Sequence, residues 1–174
     1  PGSEKNHEVI NKVLDAGRLI LSADSVGASQ IMLDKAVAYS LERKQFGRVI
    51  GSFQAVKHMC AEMAAELEPC HSMIWHAAHC YDHDPSQARL LACHTKAHVS
   101  EVAKQISKTS TEVHGGMGFT DELGLHYWFK RIGLNRQLLG SPELVREEAA
   151  KIQNFDQSPP EGQGSKEVGN PLLV

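Results

Sequence analysis

The chain of 174 residues has room for one domain and not for two full-sized ones. Hydrophobic residues make up 41% and charged residues 22%, which suits a packed core and excludes disorder throughout. Eighteen basic against twenty-one acidic residues, a net charge of -3, argue against a sequence-independent nucleic-acid binder, and 6% aromatics offer few stacking platforms for bases. No apolar stretch approaches the roughly 18 residues that span a bilayer. Pro1-Gly2-Ser3 reads as the scar of a cleaved tag rather than a signal peptide. Cys60, Cys70, Cys80 and Cys93 contain no C-x-x-C pair, and the default reading is reduced thiols in a cytoplasmic protein.

In chain order, the apolar residues Val9, Val13, Leu14, Ile20, Leu21, Val26, Ile31 and Val37 recur at three- and four-residue steps. They predict a long amphipathic helix from about His7 to Leu41. Gly17 and Gly27 inside it call for close packing or a ligand, since each costs about 1 kcal/mol against Ala. Gly47 is expected to stop the chain after the cations of Glu42-Arg43-Lys44-Gln45-Phe46-Gly47. Ser52 is the expected N-cap of a second helix running to about Tyr81, kinked at Pro69. A turn at Asp82–Ser86 leads into a third helix, capped by Ser86 and ending near Val113. Shorter helical segments follow near Leu123–Ile132 and from Pro142 to about Phe155, with Ser141-Pro142 matching an N-cap and first helical position. The organisation is therefore a tag remnant at 1–3, a helical domain at 4–156 and an irregular tail at 157–174. The fold class is all-α: an up-down four-helix bundle with three long helices and a split fourth element.

Two stretches carry more than helix pattern. One is Glu42-Arg43-Lys44-Gln45-Phe46-Gly47 with Gln54 seven residues on. The other is Glu112-Val113-His114-Gly115-Gly116-Met117-Gly118-Phe119. An arginine beside a chain turn can aim a forked donor at a phosphate, and a Gly-Gly-x-Gly loop lets backbone N–H groups approach a pyrophosphate.

In this order, each after a long helix, the two stretches resemble the C-terminal helical domain of the acyl-CoA dehydrogenase family. The resemblance covers about Val13 to Phe155. It implies a flavoprotein that removes a proton from the α carbon and a hydride from the β carbon of an acyl-CoA thioester. FAD takes the hydride, and an electron-transferring flavoprotein takes the electrons. Carried over, Arg43, Gln45, Phe46, Gln54, Glu112, Gly115 and Gly116 contact the FAD of a neighbouring subunit, which implies a homo- or hetero-oligomer. Glu112 departs from the family's usual glutamine and would repel a pyrophosphate. Arg18 matches an arginine near the acyl-CoA substrate.

The chemistry needs a carboxylate at the α proton. The family's two positions for it fall on Leu139 and Gly17 in this sequence, and neither can accept a proton. Three readings stand: a subunit without its own base in a hetero-oligomer, a substitute acid on the first helix (Asp15 or Asp24), or Glu143. Asp15, two residues from Gly17, points about 200° away on a helix. Glu143 equally reads as a first-turn acid favoured by the helix dipole.

The competing class is a metal-binding bundle built on the ten histidines, with His94 and His98 on one face and His71, His76, His79 and His83 on the helix before. Carboxylates speak against it, because only Glu68-Pro69-Cys70-His71 supplies a Glu-x-x-His within a core helix. No metal site is therefore assigned. A third class is a domain serving only oligomer contacts.

Overall fold

A computed structural model describes residues 3–155, with side chains from residue 6 onward. The tail at 157–174 and the first two residues of the expected tag remnant lie outside the described residues; Ser3 already opens the first helix. Helix α1 (Ser3–Glu42) is followed by two-residue strands β1 (Lys44–Gln45) and β2 (Arg48–Val49) and a 3-10 turn (Ile50–Ser52). Helices α2 (Gln54–His83) and α3 (Pro85–His114), a 3-10 turn (Gly115–Phe119), α4 (Leu125–Gln137) and α5 (Pro142–Ile152) complete the bundle. The architecture is all-α, with α3 at the centre packed on α1, α2, α4 and α5. The fourth element is split between α4 and α5.

The inner face of α1 is not the one its apolar periodicity indicates. Val9, Val13, Ile20 and Val37 are exposed, while Leu19, Ser22, Ser25, Val26, Ser29, Met32, Leu33 and Ala36 are buried. The buried face is thus written largely in small residues, which let α1 and α3 approach closely. Their hydroxyls need no partner across the interface, because Ser22, Ser25 and Ser29 each donate to the carbonyl four residues back at 2.7–2.8 Å. Met32, Met63, Leu67, Val99, Ile106, Leu125 and Ile132 close the main core. Gly27 faces open space, so packing does not account for it.

Three boundary signals differ from expectation. Gly47 does not stop the chain: with Phe46 it forms the two-residue turn of a β1–β2 hairpin, at φ of 52° and 77°, pairing Lys44 with Val49 and Gln45 with Arg48. Ser52 is not an N-cap, since its hydroxyl donates back to Val49 O and the extended residue before α2 is Phe53. The cap of α3 is Asp84, whose carboxylate accepts from the N–H and hydroxyl of Ser86, with Pro85 at the first helical position. Helix α2 runs through Pro69, and Ser141 caps α5 by accepting from Leu144 N.

Candidate functional site

The two signature stretches meet in space. Tyr39, half-buried near the end of α1, lies one turn before Arg43, whose N–H donates to the Tyr39 carbonyl at 2.9 Å. The α3 C-terminus brings His114, Gly115 and Gly116 opposite them. Arg43, Gln45, Gly115 and Gly116 line one cavity of about 410 Å³, together with Tyr39, Ile50, Val113, His114 and Met117. Gly115 sits at φ 59°, where glycine is favoured, and a Cβ at Gly115 or Gly116 would project into open space, so the loop presents bare backbone to the cavity. Gly118 is required for another reason: its Cβ would lie 2.5 Å from Thr111 O.

Other predicted residues are not in this lining. Phe46 is 91% exposed at the hairpin tip, edge-on to Phe53 at 6.1 Å, and Arg48 lies over that Phe53 ring at 4.0 Å. Gln54 opens α2 and is exposed; Glu112 is exposed on α3, its carbonyl taking the N–H of Gly115. Two residues that sequence reasoning passed over belong to the cavity. Tyr39 and His114 pack ring on ring at 4.6 Å. His114 is buried and its Nδ1 donates to Ser110 O at 2.7 Å; burial lowers its pKa and keeps the ring neutral. Its position inside an apparent helix break hid that role, whereas the four-residue spacing of Tyr39 and Arg43 was a usable signal.

A second cavity, of about 490 Å³, lies at the corner between α4 and α5 and is lined by Leu14, Arg18, Leu139, Gly140, Leu144, Glu147, Glu148 and Lys151. Here the two base positions of the sequence reading come together. A Cβ on Gly17 would fall well inside 3.0 Å of Leu139 Cδ1, the free end of an exposed side chain, so the two positions adjoin. Leu139 is at φ 57° and Gly140 at φ 109°.

Arg18 is 5% exposed and its donors are committed. Nε reaches Leu139 O at 3.0 Å, Nη1 reaches Cys93 Sγ at 3.3 Å, and Nη2 reaches Glu148 Oε2 at 2.8 Å. Glu148 also pairs with Arg89, and Asp15 lies 3.5 Å from Arg18 Nη1. The two acids fare differently. Burial raises the pKa of Asp15 despite Arg89 and Arg18, and its Oδ1 accepts no hydrogen bond. Burial pushes Glu148 up as well, but the bond to Arg18 and the charges of Arg18 and Arg89 hold it below the usual range.

None of the substitute acids faces Gly17 and Leu139. Asp15 belongs to the buried ion cluster, and Asp24 is held by Arg131 and Asn135 at 2.5–2.7 Å. Glu143 is pulled down to about 2 by the Ser141 hydroxyl, its own N–H and Arg136, as a first-turn acid. The carboxylates that do line this cavity, Glu147 and Glu148, are paired with Lys151 and with the two arginines. Among the described residues no group of three or more His, Cys, Asp or Glu side chains is placed to hold a metal ion, so the histidine bundle gains no support. His79 and His83 stack on each other at 4.4 Å. No helix among the described residues is long and apolar enough to cross a membrane.

The model of the acyl-CoA dehydrogenase C-terminal domain matches residues 7–153. The chain belongs to the acyl-CoA dehydrogenase family. It is 39% identical over 111 residues to caffeyl-CoA reductase-Etf complex subunit CarC of Acetobacterium woodii, covering 64% of this chain and 29% of that protein. It is 36% identical over 144 residues to acyl-CoA dehydrogenase FadE34 of Mycobacterium tuberculosis, covering 82% of this chain and 20% of that one. Over 139 residues it is 32% identical to acyl-CoA dehydrogenase IpdE2 of Mycolicibacterium smegmatis, covering 79% and 43%. The electron transferring flavoprotein structure of Acidaminococcus fermentans superposes with a TM-score of 0.79 at 28% identity, over 84% of this chain and 38% of that one. The glutaryl-CoA complex of glutaryl-coenzyme A dehydrogenase does so at 0.78 and 26%, over 86% and 38%. The chain thus spans 20–43% of the length of these relatives.

Proposed function

We propose that this chain is the C-terminal domain of an FAD-dependent acyl-CoA dehydrogenase subunit that lacks its own catalytic base. The observation that carries the reading is the meeting of Gly17 and Leu139 at one point, with no carboxylate there and every nearby acid paired elsewhere. FAD, when bound, would supply the hydride acceptor for α,β-dehydrogenation of an acyl-CoA thioester, with an electron-transferring flavoprotein as partner. The donor set around the first cavity fits a dinucleotide. Arg43 offers a forked cation and Gln45 an amide, and Gly115 and Gly116 put no side chain in the way, beside a neutral His114 that adds no charge. Phe46 and Gln54 flank that cavity on the hairpin and at the start of α2, exposed and ready to meet a neighbouring subunit's FAD. Glu112, outside the lining, keeps its charge in solvent.

In this reading the site is shared across a homo- or hetero-oligomer. Four free cysteines fit a reducing, cytoplasmic setting. Full-length subunit, purified alone and with its partner, is assayed for acyl-CoA-dependent reduction of an electron-transferring flavoprotein. Turnover is expected only with the partner; turnover by the subunit alone would sink the base-less reading. The 174-residue chain, with only one side of the dinucleotide site, is expected to bind FAD weakly or not at all. A stoichiometric yellow protein after FAD addition and desalting would contradict this.

A further inference from the structure

The wall of the first cavity carries a titratable ring. His114 is 4% exposed, lines the cavity beside Gly115, and packs on Tyr39 with ring centroids 4.6 Å and planes 32° apart. Ser110 ties it down: its hydroxyl donates to Met32 O on α1 at 2.8 Å, and its carbonyl accepts from His114 Nδ1 at 2.7 Å. A carbonyl can only accept, so Nδ1 carries the single N–H of the neutral ring and Nε2 is bare.

Burial works against charge on this ring and prevails while the cavity is empty, and the Lys35 ammonium acts the same way. Other neighbours act in the opposite direction. The carbonyls of Ser110 on α3 and Lys35 on α1 both favour a proton on the ring. The Tyr39 ring lies within the ~6 Å over which an aromatic face attracts a cation. What is missing is an anion. From α1 the cavity receives Tyr39 and Arg43, from the hairpin and the turn after it Gln45 and Ile50, and from the end of α3 and the loop beyond Val113, Gly115, Gly116 and Met117. Among the described residues no carboxylate lines it.

We infer that His114 is the proton-linked partner of the dinucleotide: a diphosphate in this cavity supplies the negative charge that the ring lacks, and the imidazole takes a proton from solvent at Nε2 as FAD binds. The inference rests on the FAD reading above. It turns one cation in the lining, Arg43, into two when the cavity is filled, without a buried charge when it is not. The sign of the pH dependence follows. The bound pKa lies above the free one, so the added affinity is full below the free value and is lost as pH rises through the bound one. An opposite charge close by raises a pKa by one unit or more, which corresponds to FAD binding roughly three- to tenfold tighter at pH ~6 than at pH ~8.5.

The test uses the full-length subunit with its oligomer partner, stripped of FAD and titrated with FAD in a calorimeter. Two buffers of different ionisation heat at pH ~6.5 count the protons exchanged. Wild type is expected to take up ~0.5 proton per FAD. H114Q and H114F, which cannot take the proton, should show uptake near zero and an affinity flat in pH. No uptake by wild type overturns the inference, and that measurement needs no variant to fold. Uptake that persists in either variant overturns it too, because the proton then goes elsewhere. Arg43→Gln separates the two levels of the argument, since loss of a charged donor should weaken FAD about tenfold or more. An unchanged affinity in that variant would end the dinucleotide reading and the proton link with it. Weakened binding in Arg43→Gln with uptake surviving in H114Q would leave the dinucleotide reading in place and remove the proton link alone.

Discussion

Arg18→Met is expected to lower the stability of the domain by about 3–5 kcal/mol, the usual consequence of removing one partner from a buried ion cluster. The side chains of Arg18 and Asp15 are each only 7% exposed, and Glu148 is 24% exposed. Methionine would fill much of the volume but none of the charge. Glu148 keeps Arg89, so the main loss falls on Asp15, already short of a hydrogen bond and already raised in pKa by burial. The sign of the pH dependence follows. A carboxyl whose folded pKa lies above its unfolded value is neutral in the native state first, so its burial penalty fades as pH falls through the folded pKa. The deficit of the variant is therefore expected to shrink between neutral and mildly acidic pH. Guanidinium unfolding at the two pH values checks it; a deficit under 1 kcal/mol at neutral pH would show that the cluster gives no net support.

Lys96→Met should change stability in a way that depends on alkaline pH. Lys96 is 1% exposed, donates to Ser100 Oγ at 3.3 Å and to Asn135 O, and among the described residues pairs with no carboxylate. Burial, then the charges of Arg136 and Arg18, lower its pKa to about 8 from 10.5. Below the folded value the lysine is charged in both states and the burial penalty is present in full. Between about 8 and 10.5 the unfolded chain holds the proton and the native one releases it, so wild-type stability gains as pH rises. The variant lacks this gain. The wild type is expected to improve against the variant by about 2 kcal/mol between neutral pH and pH ~10. Taking the difference between the two proteins removes the opposing contribution of Cys70 and Cys93, whose thiols burial pushes up to about 11. A pH-independent difference would mean that Lys96 is solvated.

Much of this molecule was legible in its sequence, for identifiable reasons. Helix existence, the breaks at Asp84-Pro85 and Gly115-Gly116, and the Ser141-Pro142 start are local chemistry, and local chemistry is what a sequence displays. The meeting of the Arg43 and Gly115 stretches was anticipated through family resemblance and is carried in the fold by a single cavity. The inner face of α1 was hidden because Ser22, Ser25 and Ser29 satisfy their hydroxyls on their own helix. A polar residue that needs no outside partner can face a core, and periodicity arguments score it as outward. Asp84 outranked Ser86 as a cap because Pro85, with its fixed φ, takes the first helical position and leaves the capping place to the residue before it. The Gly17–Leu139 contact lay beyond reach: nothing local says that a missing side chain on α1 is answered by a leucine at a corner far along the chain.

The phenylalanines carry a last consequence. None of the five is in the buried core; Phe46, Phe119 and Phe155 are 77–91% exposed and Phe129 is 44% exposed. A bundle whose interior relies on serine, alanine and aliphatic side chains has turned most of its phenylalanine rings to solvent, where they gain only from association. Apolar burial weakens on cooling. Assemblies that cover these rings should therefore loosen in the cold and tighten on warming, the reverse of ones held by ion pairs, and sedimentation at the two temperatures would register the difference.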